Sequence, residues 1–313
     1  MRTNGIQAAL LSALFLGLAP VFGKLAISVG FPPLAVVALR TALATLLLLA
    51  VVLAFRRRYL YIYPAGLLGC LLAGGINGLG SLLYYSALGR IDAGVGQLIY
   101  SLYPLFVAMW LWLDHQPPNK LTIFRLALAT IALVLLTQAG GETPDLIGMA
   151  MMLGASALYA LHLPINQRVL YEMPAPTVTL YTLFAMSAVV VPAYFLAGAP
   201  AIDVNPDQLS LGWWAVLALT LVTFFSRLTL FLGVKHLGGL QTAILGLGEL
   251  FVTILFAHIL LGEQLSIFQW LGAFLLAASL ILVTQEKIQI QHPNLSQGWL
   301  RWLHPPNIPP DIP

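Results

Sequence analysis

The chain has 313 residues, 60% of them hydrophobic and only 8% charged, with a net charge of +3 and a mean hydropathy of +0.91. A soluble domain carries about 25% charged residues because its surface must face water, so this composition excludes a water-solvated globule and predicts lipid around most of the perimeter. The positive charge is small and unevenly placed, which argues orientation in a membrane and not nucleic-acid binding.

A helix needs about 20 apolar residues to cross the hydrocarbon. Arg2 ahead of an apolar stretch imitates a secretory leader, but a leader's apolar region runs to about 15 residues at most. Here the run goes from Ile6 to Val29, broken only by Lys24, and reads as a retained first helix. Helices two to five follow at Pro32–Phe55, Pro64–Leu88, Ala93–Leu113 and Leu121–Gln138. Helices six to ten follow at Leu146–Val169, Pro176–Ala197, Leu211–Val234, Gly239–Leu261 and Ile267–Thr284. The reading is an all-α integral membrane protein of ten transmembrane helices. The tail from residue 286 to 313 is polar and proline-rich and reads as disordered, with Trp299 and Trp302 as candidate interface anchors. Cys70 stands alone in an apolar run and reads as a packing residue, so no disulfide or cysteine metal site is expected.

Loop charges set the expected orientation. With a cytoplasmic N-terminus, the inner connections hold Arg56-Arg57-Arg58, Lys120, Arg168 and Lys235, and the tail adds Lys287 and Arg301. The opposite side holds Glu142, Asp145, Asp203, Asp207 and Glu263, with Arg90 and Lys24 as its main basic residues. That asymmetry follows the positive-inside rule and predicts a multi-pass protein of the cell (plasma or inner) membrane with both termini cytoplasmic.

A repeat is legible beneath the helices. Ser12-Ala13-Leu14-Phe15 with Pro20 and Lys24 recurs as Ser156-Ala157-Leu158-Tyr159 with Pro164 and Arg168. Leu135-Leu136-Thr137-Gln138 recurs as Leu282-Val283-Thr284-Gln285, and Tyr103-Pro104-Leu105-Phe106-Val107 aligns with Gly248-Glu249-Leu250-Phe251-Val252. Five helices per unit, an odd number, turn the second unit upside down. Residues 1–140 and 141–285 are thus expected to form two inverted five-helix repeats, with a site near the midplane between them.

At this point the chain resembles the drug/metabolite transporter superfamily, and within it the EamA-type carriers. The resemblance rests on Pro32-Pro33 leading to Ala38-Leu39-Arg40, on Tyr84-Tyr85-Ser86-Ala87-Leu88, and on Leu102-Tyr103-Pro104-Leu105-Phe106. In the second half it rests on Leu247-Gly248-Glu249-Leu250 and Leu261-Gly262-Glu263. It implies a central cavity formed by helices one to four and six to nine. It also implies transport of amino acids, other metabolites or drugs, usually outward and often in exchange for protons or other ions. Two positions depart from the family pattern: Asp114-His115-Gln116-Pro117 where Gly-Glu is common, and Leu250 where Pro follows the helix-nine Glu.

Ionisable groups inside a membrane are costly and each requires a reason. Glu249 lies about 15 Å from either surface at 1.5 Å per residue, too deep to snorkel. It is a candidate coupling carboxylate or a structural partner for a nearby donor. Arg40 suits a substrate carboxylate through its planar fork, or a fixed interhelical bond. Arg227 shares a face with Thr220 and Thr223 and is expected to snorkel. Tyr159, His162 and Asn166 recur on one face of helix six. Asn77 with Tyr84 on helix three, and Tyr100 with Tyr103 on helix four, would line an organic-solute pocket or serve as ordinary packing. Gly74 and Gly78, four apart, permit close helix approach. No Gly-rich phosphate loop, His-Glu-x-x-His or clustered metal ligand set is present, so neither an enzyme nor a cofactor is expected. A channel or receptor is the alternative class. The expected partners are a small-molecule substrate (an amino acid or other metabolite), the lipid bilayer and, for coupling, protons.

Overall fold

Proline and glycine punctuate the helices. A computed structural model describes residues 2–113, 145–202 and 206–263, with isolated positions 124, 131, 266, 267, 270, 271, 274 and 275. Its helices are α1 (Arg2–Ser28), α2 (Pro33–Phe55), α3 (Pro64–Leu88), α4 (Ala93–Tyr100), α5 (Tyr103–Leu113), α6 (Leu146–Glu172), α7 (Ala175–Leu196), α8 (Pro206–Leu237), α9 (Gly239–Gly246) and α10 (Gly248–Leu261). Pro33 and Pro64 open α2 and α3, where the missing N–H costs no hydrogen bond. Asp145 caps α6 by accepting from Gly148 N at 2.8 Å. Gly262 ends α10 in the left-handed region at φ 69°.

Among the described residues all regular structure is helical, and eight passages are long and apolar enough to cross a bilayer. Helices α4–α5 form one such passage (Ala93–Trp110) and α9–α10 another (Gly239–Leu261). The chain is an all-α, multi-pass membrane protein. The expected fifth and tenth helices, Leu121–Gln138 and Ile267–Thr284, and the tail lie outside the described residues apart from the isolated positions. Leu46, Phe184, Leu217 and Leu255 are more than half exposed, as side chains that face lipid must be.

Contacts run between the halves more than within them. The largest are α1 with α8 and α3 with α6; α3 with α7, α1 with α10, and α2 with α7 follow. Small residues permit this. A Cβ at Gly74 would collide with the Thr182 carbonyl and with Ala185, and one at Gly78 would reach within 2.9 Å of Val189, so α3 and α7 cross nearly backbone to backbone.

One end of the bundle holds a rim of partnered charges. Lys24 Nζ donates to Leu88 O and Ile91 O, both at 2.8 Å. Just beyond, the Glu263 carboxylate accepts from Ala93 N and Gly94 N, each at 2.8 Å, and so caps α4 from the end of α10. Burial holds its carboxyl above the ordinary range, against the pull of those two amides. Arg90 donates to Asp145 Oδ2 at 3.0 Å. The Gly148 amide first, and Arg90 second, hold the Asp145 carboxyl below its usual value.

Candidate functional site

Two helices that read as continuous are broken at mid-passage. Pro104 has no N–H, so the carbonyl of Tyr100, four residues earlier, loses its helical donor. The chain turns at Ser101 and Leu102, and the Ser156 hydroxyl of α6 donates to Tyr100 O at 2.9 Å. At the matching place in the second half, Leu247 N bonds Ile244 O at 3.2 Å, which leaves Ala243 O free. Tyr103 Oη donates to that carbonyl at 2.8 Å. A Cβ at Gly246 would collide with the same hydroxyl, so only glycine admits this bond. Each break is therefore satisfied by a side chain from the opposite half.

The second break fixes the position of Glu249. It stands in the first turn of α10, where the amide ends of the helix favour a negative charge. It is 2% exposed. Gln97 lies beside it, and Arg227 is within electrostatic reach. No hydrogen-bond partner meets Glu249 Oε1 or Gln97 Nε2 among the described residues.

These groups surround a small, partly open cavity of about 40 Å³. Its wall includes Leu16 and Ala19 of α1, Arg40 of α2, Asn77, Ser81, Tyr84 and Tyr85 of α3, Gln97 and Tyr100 of α4, Tyr159 of α6, Arg227 of α8 and Glu249. Arg40 donates to Thr223 Oγ1 at 3.1 Å and Ser81 Oγ at 3.2 Å, with its guanidinium 4.6 Å from the Tyr85 ring centroid. The Arg227 guanidinium lies 5.5 Å from the Tyr159 centroid. The Asn77 amide, oriented by its neighbours, accepts from both Arg227 Nη atoms at 3.2 and 3.1 Å. Tyr84 Oη donates to Gln97 Oε1 at 3.3 Å, and its ring meets Tyr100 edge-on at 4.9 Å. Among the described residues no ion pair joins Glu249 to either arginine.

Of the residues singled out from sequence, Arg40, Asn77, Tyr84, Tyr100, Tyr159 and Glu249 share this wall. Tyr103 stands behind it, packed on Tyr100 and Tyr159, with its hydroxyl committed to Ala243. His162 and Asn166 are fully buried one and two turns along α6. His162 Nδ1 meets the Tyr159 carbonyl and its ring faces Phe231, while Asn166 Oδ1 accepts from Thr182 Oγ1 at 3.1 Å. Arg227 departs from expectation. It does not snorkel but is 5% exposed and faces the cavity, because α8 carries it opposite Asn77. Its place on the stripe with Thr220 and Thr223 was the available signal.

The profile of the EamA-like transporter family matches residues 3–138 and 146–285. The chain belongs to the EamA-like transporter family. It is thus a drug/metabolite-type secondary carrier working in a lipid bilayer, and not an enzyme. No curated protein sequence matches it. A solved crystal structure is similar over 91% of this chain and 97% of its own, with 18% identity and a TM-score of 0.68, a likeness of fold.

Proposed function

We propose that this EamA-family carrier moves small organic metabolites, amino acids foremost, by alternating access around the central cavity, with Glu249 carrying a coupled proton and export as the direction. The observation that carries the reading is a buried, mid-passage cavity whose two guanidinium groups and one carboxylate are not paired with each other. Charges held apart at such cost are charges kept for a ligand. Arg40 takes the substrate carboxylate; Asn77, Tyr84, Tyr100 and Tyr159 form the polar and aromatic wall. Tyr103, His162 and Asn166 serve it from behind.

The same proposal includes two inverted five-helix units, residues 1–140 and 141–285, with both termini cytoplasmic. The two-segment family match supports it. So does the pairing of contacts: under exchange of the halves, α1 with α8 corresponds to α6 with α3, and α2 with α7 to itself. Reporter fusions after Arg58, Lys120, Arg168 and Lys235 are expected to read cytoplasmic and those after Gly141 and Asn205 external.

Counter-flow in proteoliposomes tests the carrier. Unlabelled solute inside should accelerate uptake of the labelled solute, which a channel would not do. Glu249→Gln should keep exchange and lose the response of net flux to an imposed pH gradient, because exchange moves no net proton. Full pH-driven flux in that variant would remove Glu249 from the coupling role.

A further inference from the structure

Among the described residues, the charges of the cavity do not cancel. Arg40 and Arg227 supply two positive groups and Glu249 one negative. Across the ten helices read from the sequence Glu249 is the sole Asp or Glu, so the stretches Leu121–Gln138 and Ile267–Thr284 hold no second carboxylate. The carboxylate of Glu263 is at the rim, held by backbone amides. The neutral partners of the arginines, namely Thr223, Ser81, Asn77 and the faces of Tyr85 and Tyr159, satisfy N–H groups and leave the charge.

Among the described residues three wall atoms also lack a hydrogen-bond partner, namely Arg40 Nε, Tyr159 Oη and Glu249 Oε1, the last with Gln97 beside it. Two are donors and one is an acceptor when ionised. A net positive charge in a low-dielectric interior is expensive until an anion completes it.

We infer that the substrate is an organic anion with a net negative charge, such as an acidic amino acid or a dicarboxylate, whose carboxylates complete the Arg40–Arg227–Glu249 set. This rests on the carrier reading above. With Glu249 ionised the wall carries one net positive charge, which a monoanion cancels; with Glu249 protonated it carries two, which a dicarboxylate cancels. A neutral zwitterion leaves the excess in place, and an amine adds to it.

The test is counter-flow by the full-length protein in proteoliposomes at neutral pH with four probes: glutamate, succinate, glutamine and lysine. Glutamate and succinate are expected to exchange at least about tenfold faster than glutamine and lysine. Changing the cavity charge should then move the preference in opposite directions. Arg227→Gln lowers the ratio of glutamate to glutamine by about tenfold, whereas Glu249→Gln raises the ratio of succinate to glutamate. If Arg227→Gln does not purify as a folded protein, the opposite shift in Glu249→Gln decides. Exchange of glutamine or lysine as fast as glutamate overturns the inference and leaves the carrier reading standing. Absence of trans-stimulated exchange for all four probes overturns the inference as well.

Discussion

The rim and the cavity hold ionisable groups of the same kinds in opposite conditions. At the rim Lys24 has two carbonyls, Glu263 two amides, and Arg90 and Asp145 each other. In the cavity, Arg40 and Glu249 each retain an atom without a partner among the described residues, although both are more deeply buried. Burial makes an unsatisfied charge dearer, not cheaper. If stability alone had shaped the chain, the better-satisfied groups would be the deeper ones. The reversal sets the charges that fasten helices at the rim apart from those of the cavity, which we propose are kept for a ligand.

The largest expected effect falls on the cavity. Arg40→Leu should reduce exchange by about 100-fold or more, the scale set by deleting one member of a buried charge set, while the protein still inserts. Arg40→Lys keeps the charge without the planar fork and should fold yet bind carboxylates poorly. Counter-flow beside a thermal unfolding curve reads both. Loss of folding in Arg40→Leu equal to its loss of exchange would place Arg40 with the rim.

Glu263→Ala should show the opposite split. It strips the two amides that open α4 and should cost about 2 kcal/mol of stability with exchange per folded molecule reduced far less than by Arg40→Leu. Thermal unfolding in detergent measures the first and counter-flow the second. A smaller pair of changes probes the helix breaks. Ser156→Ala and Tyr103→Phe each abandon one freed carbonyl, at about 1 kcal/mol apiece. Because the two bonds serve separate breaks, the double variant should lose close to the sum.

The helical passages were legible because 20-residue apolar runs have few other uses. The orientation of Gly74 and Gly78 toward another helix was legible too, since small residues four apart share a face. The breaks were not. No charge interrupts Ala93–Leu113, and Pro104 alone does not say which side chain will claim the Tyr100 carbonyl; Ser156 lies 56 residues away. Tyr159, His162 and Asn166 do share a face of α6, but α6 passes from the cavity to the flank of α7, so the stripe begins on the cavity wall and ends on Thr182. For Arg227, expected to snorkel, the neighbours across the bundle decide where it points. Local spacing gives a face; only packing says what that face meets.

The smallest expected effect returns to the rim, at Asp145. This residue caps α6 through Gly148 N and pairs with Arg90 at the partly exposed rim. Its folded-state pKa lies below the usual carboxylate value, so its contribution is complete above that value and is lost as the pH falls through the lower, folded one. Asp145→Asn keeps an acceptor for Gly148 but cannot titrate. At neutral pH its unfolding temperature should fall only slightly, since an exposed pair contributes little. As the pH falls below about 4, the ordinary carboxylate value, and on through the lower folded one, the two unfolding curves should converge. Added salt should narrow the neutral-pH difference by screening Arg90 and leave the cap's share. A difference that widens toward acid would mean that the protonated carboxyl, and not the carboxylate, is the form the folded chain prefers.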